Sequence, residues 1–450
     1  MRRLQSELRA LLGLAWPLIL AFSGNQLLGV VDTAMVGRLG AAELAGVALG
    51  SGVYFTITVM GMGFVLGVDP LISQAVGAGE GRRVRAAVRT GVRVALGVSV
   101  PLVGLLLLST LALPLFGIDE PTSAAASALI LGRTPGLVPL LLLMAFRSLL
   151  QARSITRPFL VGSVVANVVN LVFNGLLIYG DDSLAWVGLP AVGLPALGVL
   201  GSGIASTLAT FAQLAVMLLA LRTIRPLEGG GDERVSVPAV LRVGGPIAAT
   251  YLAEVGAFTV AAILAARLGS HAAAGHQVAI TLASLTFTVT MGFASATSVR
   301  VGKAVGRGDS AGARLAGFAG FAASTAFMLF AAGVFIGFAG PLAGLLSDRA
   351  EVLAAAIPLI HIAAFFQVFD GAQAVGAGAL RGVGETKFIQ YANLVGYYAV
   401  GLPLAVFLAF PAKLAERGLW WGLSAGLFVV AAALVYKFER ISRGVLARIT

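Results

Sequence analysis

Apolar residues run along this chain in long blocks, broken at intervals by short polar clusters. An α-helix needs roughly 20 mainly apolar residues to cross a bilayer. Twelve blocks meet that length: 11–36, 46–72, 88–115, 124–148, 158–180, 196–221, 239–267, 275–299, 312–338, 352–379, 388–411 and 418–437. Most exceed the minimum, which predicts tilted or kinked helices. Pro17, Pro246, Pro358 and Pro403 fall inside blocks and are candidate kinks. The first block is too long for a signal peptide and lacks a small-residue cleavage site, so it reads as the first span. The pattern predicts an all-α integral membrane protein with twelve transmembrane helices.

Composition agrees and narrows the choice. Hydrophobic residues make up 58% and charged residues 11%, against about 25% charged in a soluble protein. This chain cannot furnish a soluble surface. The formal net charge of +11 raises the question of nucleic acid. With the N-terminus taken as cytoplasmic, 25 of the 31 basic residues fall on cytoplasmic segments and helix ends. The outer side keeps Arg38, Arg133, Arg267, Arg349, Lys413 and Arg417. This is the positive-inside asymmetry of a multi-pass protein with both termini cytoplasmic. It fits a plasma membrane, the bacterial inner membrane, and leaves nucleic acid little to explain. There is no cysteine, and His271, His276 and His361 lack ligand spacing, so neither metal centre nor cofactor is expected. The 58 glycines suit close helix packing.

The two halves repeat. Pro17 matches Pro246, Arg38-Leu39-Gly40 matches Arg267-Leu268-Gly269, and Ala75-Val76-Gly77 matches Ala304-Val305-Gly306, all at an offset of 229. Leu150 and Thr156 match Leu380 and Thr386 at 230. One register held across several helices predicts two homologous six-helix bundles in a parallel internal repeat. The expected boundaries are 1–225 for an N-lobe, 226–236 for a cytoplasmic linker containing Gly229-Gly230-Gly231, and 237–450 for a C-lobe.

Ionisable groups inside apolar spans are costly and are functional candidates. Asp32, Glu254 and Asp370 lie deep, Asp69 nearer a helix end, and no equally deep basic residue offers an obvious partner. In the repeat register Asp32 falls on Ala261, Glu254 on Asn25 and Asp370 on Leu140, so the acids are not duplicated. The fifth span carries Asn167, Asn170 and Asn174 on one helical face, and the sixth carries Ser206 and Thr207. Neutral oxygens beside a carboxylate suit a hard cation; the same amides also serve as interhelical glue. A buried carboxylate takes up H⁺ or Na⁺, and its release leaves a charge that favours a cationic substrate. The residues do not choose between the ions.

These segments resemble the multidrug and toxic compound extrusion (MATE) family, in its NorM branch. Val31-Asp32-Thr33-Ala34-Met35-Val36-Gly37 resembles the family's helix-1 signature. Pro246 with Glu254 and Phe258, His276-Gln277-Val278-Ala279 with Ser298-Val299-Arg300, Asp370 with Gly378-Ala379-Leu380-Arg381-Gly382, and the pair Asn170 and Asn174 resemble helices 7, 8, 10 and 5. The resemblance implies a V-shaped, monomeric exporter of cationic, amphipathic drugs, driven by Na⁺ or H⁺ antiport. It assigns cation coupling to Asp32, Asn170, Asn174, Ser206, Glu254 and Asp370. It places Phe258 and Gln277 at the substrate cavity, and Asn25 is taken with them. Asp69 departs from the small or neutral residue expected there.

Other readings fare less well. Gly302-Lys303 is followed by Ala304, so no phosphate-binding loop is present. Gly61-x-Gly63 reads as helix packing, and Asp181-Asp182 as a solvated pair in an outer loop. A membrane enzyme calls for clustered carboxylates or histidines, and the deep acids are spread over three spans. A lipid-linked oligosaccharide flippase of a related superfamily is the alternative transporter, and it calls for a more basic cavity.

Overall fold

The computed structural model describes residues 2–185, 188–225, 227–229 and 234–449. Of the expected linker, Pro226 and residues 230–233 lie outside the described residues. Among the described residues all regular elements are helical. Twelve helices among the described residues are long and apolar enough to cross a membrane: α1 Arg3–Val36, α2 Ala41–Gly77, α3 Gly81–Phe116, α4 Glu120–Ala152, α5 Arg157–Tyr179, α6 Gly198–Thr223, α7 Val237–Leu268, α8 Ser270–Gly306, α9 Ser310–Gly337, α10 Ala350–Val383, α11 Thr386–Ala409 and α12 Ala415–Ser442. Each overlaps its predicted block, and the helices run a few residues further into the polar flanks.

The faces of these helices follow the lipid. On α5, Val161, Val164, Val168, Leu171 and Val172 are exposed, while Gly162, Ala166, Asn170 and Asn174 are buried. On α3, Val100, Leu107, Leu108 and Leu111 form an exposed apolar stripe. In water such surfaces would be a liability; against acyl chains they cost nothing. Along residues 161–174 of α5 the small and polar residues therefore turn inward and the large apolar ones outward.

The prolines expected to kink the helices are largely absorbed: Pro17, Pro246 and Pro358 sit inside continuous helix. Breaks occur elsewhere. Helix α2 is interrupted at Leu66-Gly67, and α4 by a 3₁₀ turn at Thr134–Gly136. In α11 a π-helical stretch spans Leu394–Gly401, immediately before Pro403. There the Leu402 amide bonds the Tyr397 carbonyl, five residues back. That wider register leads the helix into a proline that has no N–H to donate.

The chain packs into two compact units. One, the N-unit, comprises Leu20–Val68 and Gly81–Gly244; the other, the C-unit, comprises Met1–Ile19, Asp69–Glu80 and Gly245–Thr450. The packing units thus divide the chain differently from the repeat boundaries: the first half of α1 and the end of α2 pack with the C-unit. Within the N-unit, Val36, Val47, Leu129, Ile178 and Val199 form a core cluster. Within the C-unit, Phe366, Tyr397, Trp420, Leu423 and Phe438 anchor the largest cluster, and Leu11, Leu14 and Ala15 of α1 pack on Phe293 and Val375.

The C-unit also contains a crossing that reflects the duplication. A methyl group on Gly77 would strike the Lys303 carbonyl, and one on Gly306 would strike the Gln74 carbonyl. Gln74 and Gly77 are the repeat mates of Lys303 and Gly306. Equivalent segments cross by reciprocal contact, and only glycine allows the approach. Gln74 is further tied by its amide N–H to the Gly382 and Val383 carbonyls and through its Oε1 to the Ile449 amide. Next to it, Arg448 pairs with Glu80 at 2.6 Å.

Candidate functional site

The deep acids fall into two separate settings. In the N-unit, Asp32 of α1 is 1% exposed and receives four hydrogen bonds from three helices. Its Oδ1 accepts from the amide N–H groups of Asn170 (2.9 Å) and Asn174 (2.7 Å). Its Oδ2 accepts from Ser206 Oγ (2.6 Å) and from the Arg133 guanidinium (2.5 Å). Asn170 and Asn174 are one turn apart on the inward face of α5, both fully buried. Among the described residues their amide oxygens have no hydrogen-bond partner.

Arg133 overturns one expectation: Asp32 has a deep basic partner, and the two form an ion pair, with Arg133's side chain 12% exposed. The signal was present. Arg133 lies inside the predicted fourth block, directly before Thr134-Pro135-Gly136. The α-helix ends at Arg133, and the 3₁₀ turn re-aims the chain. Its long stem then carries the guanidinium to Asp32. The second guanidinium nitrogen donates to Ser51 Oγ (3.1 Å), its carbon lies 5.8 Å from the Tyr54 ring centroid, and the Tyr54 hydroxyl donates to the Arg133 carbonyl (3.2 Å).

A close helix crossing assembles this group. A Cβ on Gly203 of α6 would come within 2.7 Å of the Leu129 carbonyl and 2.8 Å of the Gly132 Cα on α4. Thr207 donates to the Gly132 carbonyl at 2.7 Å, so it braces the crossing and does not touch Asp32. The crossing brings Arg133 and Ser206, each close in sequence to its glycine, onto one carboxylate oxygen. Asn167, by contrast, donates to the Gly24 and Ser163 carbonyls and stands apart from Asp32. The asparagine face thus divides between glue and site. Asn25 accepts from Ser163 (3.0 Å) and Gln213 (3.4 Å), which fixes it as a link between helices two turns from Asp32.

In the C-unit, Asp370 of α10 lies within reach of the charge of Glu254 of α7, Glu254 within reach of that of Arg381, and Tyr397 within reach of both acids. Two of the acids described above as spread over separate spans are therefore neighbours. Asp370 is buried and Glu254 half-buried. An aromatic chain surrounds them. Phe258 meets Phe366 and Tyr397, each at 6.1 Å between centroids, Phe366 meets Trp420 at 5.6 Å, and Trp420 meets His276 at 5.8 Å. Among the described residues the Tyr397 hydroxyl, the Trp420 indole nitrogen and the Gln367 amide are buried without hydrogen-bond partners. Phe258 thus belongs to the aromatic wall beside the acids. Gln277 is exposed and, among the described residues, bonds along its own helix, to Thr281 at 3.4 Å.

Asp69 lies in the first turn of the second segment of α2, Val68–Gly77, and is buried. A carboxylate in a first helical turn is favoured by the free amides there. The pair Asp181-Asp182 is less simply solvated than expected. Asp181 accepts the amides of Val192, Gly193 and Leu194 at 2.9–3.1 Å, and these bonds hold its carboxyl below the usual range, with Val192 the leading cause.

Comparison with known proteins follows the same outline. The family model MatE matches residues 17–176 and again 246–407, two stretches that begin 229 residues apart. A relative named "Probable multidrug resistance protein NorM" in Deinococcus radiodurans is 36% identical, covering 96% of this chain and 95% of its own. "Multidrug resistance protein NorM" of Vibrio vulnificus is 29% identical, covering 98% and 97%. Among solved structures, the eukaryotic MATE transporter AtDTX14 superposes with a TM-score of 0.86 at 23% identity over the whole of both chains. The Vibrio cholerae MATE transporter VcmN in its bent form gives 0.84 at 20% identity over 98% of each.

Proposed function

Because this chain belongs to the MatE family, we propose that it is a secondary active multidrug efflux transporter with no catalytic role, exporting cationic, amphipathic organic compounds in exchange for Na⁺ or H⁺. One observation carries the coupling part of this reading. Asp32 is a buried carboxylate bonded by the Ser206 hydroxyl and by the amide N–H groups of Asn170 and Asn174, whose amide oxygens, unpartnered among the described residues, come beside it when the amides turn. A carboxylate with neutral oxygens beside it is the ligand set a hard cation takes. A proton neutralises the same group without further ligands.

The acids Glu254 and Asp370 act as a second loading point. Two carboxylates held close together favour uptake of one positive charge between them. Phe258, the partly exposed ring of the aromatic wall, offers a face to an amphipathic cation, backed from the core by Phe366, Tyr397 and Trp420. Gln277 in the C-unit and Asn25 in the N-unit are each proposed as a further substrate contact, within its own unit. Exchange follows by alternating access, with the cation and the drug competing for the same negative charge. The protein works as a monomer in the bacterial inner membrane, with both termini cytoplasmic. The flippase alternative calls for a basic cavity. Arg133 and Arg381 each face an acid, and the more deeply buried Arg147 lies over the Phe22 and Phe159 rings, which favours the exporter.

The test is dye efflux from proteoliposomes under separate Na⁺ and pH gradients, with Asp32→Asn, Glu254→Gln and Asp370→Asn variants. Efflux driven by one or both gradients and lost in the variants is expected. Efflux indifferent to both gradients, or full activity in all three variants, refutes the coupling.

A further inference from the structure

The geometry points to Arg133 as a tethered counter-ion that occupies Asp32 when the coupling cation is absent and must leave before the cation binds. This rests on the coupling role proposed for Asp32. All four acceptor directions of the Asp32 carboxylate are taken, by Asn170, Asn174, Ser206 and Arg133. The two asparagines present their N–H groups to it, and their oxygens are turned away and unpartnered among the described residues. In this arrangement no direction is left for an external cation. Loading Asp32 therefore requires the guanidinium to withdraw, and for Na⁺ it also requires the amides to turn their oxygens inward.

Arg133 has somewhere to go. Its other guanidinium nitrogen already holds Ser51 Oγ at 3.1 Å, and the Tyr54 ring lies beside it at 5.8 Å. A guanidinium displaced from Asp32 keeps a hydroxyl acceptor and an aromatic face, both from α2. The surroundings are otherwise simple. Around Asp32, α4 brings Arg133, α2 brings Ser51 and Tyr54, α5 brings Asn170 and Asn174, and α6 brings Ser206. The pair spares the cation-free protein a buried unpaired charge. It also lowers the apparent affinity for the cation, because binding must draw on the minor population in which Asp32 is free.

The full-length chain in proteoliposomes tests this through the external concentration that half-saturates dye exchange. One arm varies NaCl against choline chloride at fixed pH; the other varies proton concentration without Na⁺. If Arg133 covers Asp32 about nine-tenths of the time, Arg133→Gln should lower the half-saturating concentration of the coupling cation about tenfold. It should also slow maximal exchange, since release becomes harder. Arg133→Lys keeps the charge and should lie between Arg133→Gln and the wild type. Ser51→Ala loosens the guanidinium without removing it and should give a smaller fall; it decides the matter if Arg133→Gln does not fold. Wild-type half-saturation in Arg133→Gln, or in Ser51→Ala when it stands alone, overturns the inference and leaves Arg133 a structural tie. If Asp32→Asn retains full gradient-driven exchange, the coupling role of Asp32 itself fails. If Asp32→Asn is uncoupled while Arg133→Gln saturates normally, only the counter-ion role fails.

Discussion

Two glycines in helix interiors should respond to alanine with opposite signs. At Gly203 a new Cβ would meet the Leu129 carbonyl at 2.7 Å, the Gly132 Cα at 2.8 Å and the Gly132 carbonyl carbon at 3.0 Å. All three are backbone atoms, so no side chain can rotate away. Ordinary contact begins at 3.4 Å, and α4 and α6 must part by roughly half an ångström or more, a misfit of the kind that costs about 1–3 kcal/mol in packed cores. The same movement draws Arg133 and Ser206 from Asp32, so gradient-driven efflux should fall with stability. At Gly97 on α3 a new Cβ meets nothing within 4 Å. Alanine there gains helix propensity, up to about 1 kcal/mol in water. The assay is thermal unfolding of the full chain in detergent, followed through its four tryptophans, because the chain has no cysteine for a thiol dye. Gly203→Ala should unfold below the wild type and Gly97→Ala at or above it. If Gly203→Ala is as stable as Gly97→Ala and exports normally, the tight crossing is not what assembles the Asp32 group.

Asn174→Ala removes a 2.7 Å bond to Asp32; a hydrogen bond to a charged group is worth about 1.5–3 kcal/mol. Coupled efflux should drop more than in Asn167→Ala, which touches only backbone carbonyls. Ending the chain at Ala447 removes the Arg448–Glu80 pair and the Ile449 bond to Gln74, and should lower the unfolding temperature by the equivalent of about 1–2 kcal/mol. Asp181, with its carboxyl held below the unfolded value, steadies the 192–194 backbone fully above that value, and the effect fades as pH falls through the depressed one. Hydrogen exchange of the Val192, Gly193 and Leu194 amides should speed up relative to neighbouring loops on acidification, and Asp181→Ala should abolish the pH dependence.

Twelve spans and the duplication were legible because they depend on long-range averages: hydropathy over about 20 residues, and one register kept across half the chain. The Asp32 group was partly legible. Asn170 and Asn174 share a helical face, and periodicity reports that. Asn167 shares the face too, yet its amide bonds α1's backbone; periodicity cannot tell two neighbours on the same side apart. Arg133 escaped because charge counting assigns long basic side chains to the nearest helix end, whereas the break at Pro135 turns this one inward. The meeting of Glu254 with Asp370 depends on how α7 packs against α10, which no local pattern encodes. The π stretch of α11 had a proline as its only sequence trace, and Pro17, Pro246 and Pro358 show that proline alone does not locate a break.

The repeat now separates scaffold from chemistry. Backbone contacts obey it closely: Gly77 over Lys303 and Gly306 over Gln74 are one contact made twice. The Asp32 group disobeys it at each position that can be matched. Asp32 falls on Ala261, and in the register of Thr156 and Thr386, Arg133 falls on Ala363, Asn170 on Val400 and Asn174 on Leu404. Ala261 and Ala363 are fully buried in the C-unit's main core. A carboxylate placed at 261 would meet apolar side chains where Asp32 meets three donors and a guanidinium. Retaining duplicated acids would thus have required duplicating the whole set of partners, because an unpartnered buried carboxylate is among the most expensive groups a fold can hold. The C-unit instead holds its acids as a pair, Glu254 and Asp370, against an aromatic wall. Symmetric packing lets the halves share one architecture, while the cost of burying charge confines each kind of acid site to the unit that can satisfy it.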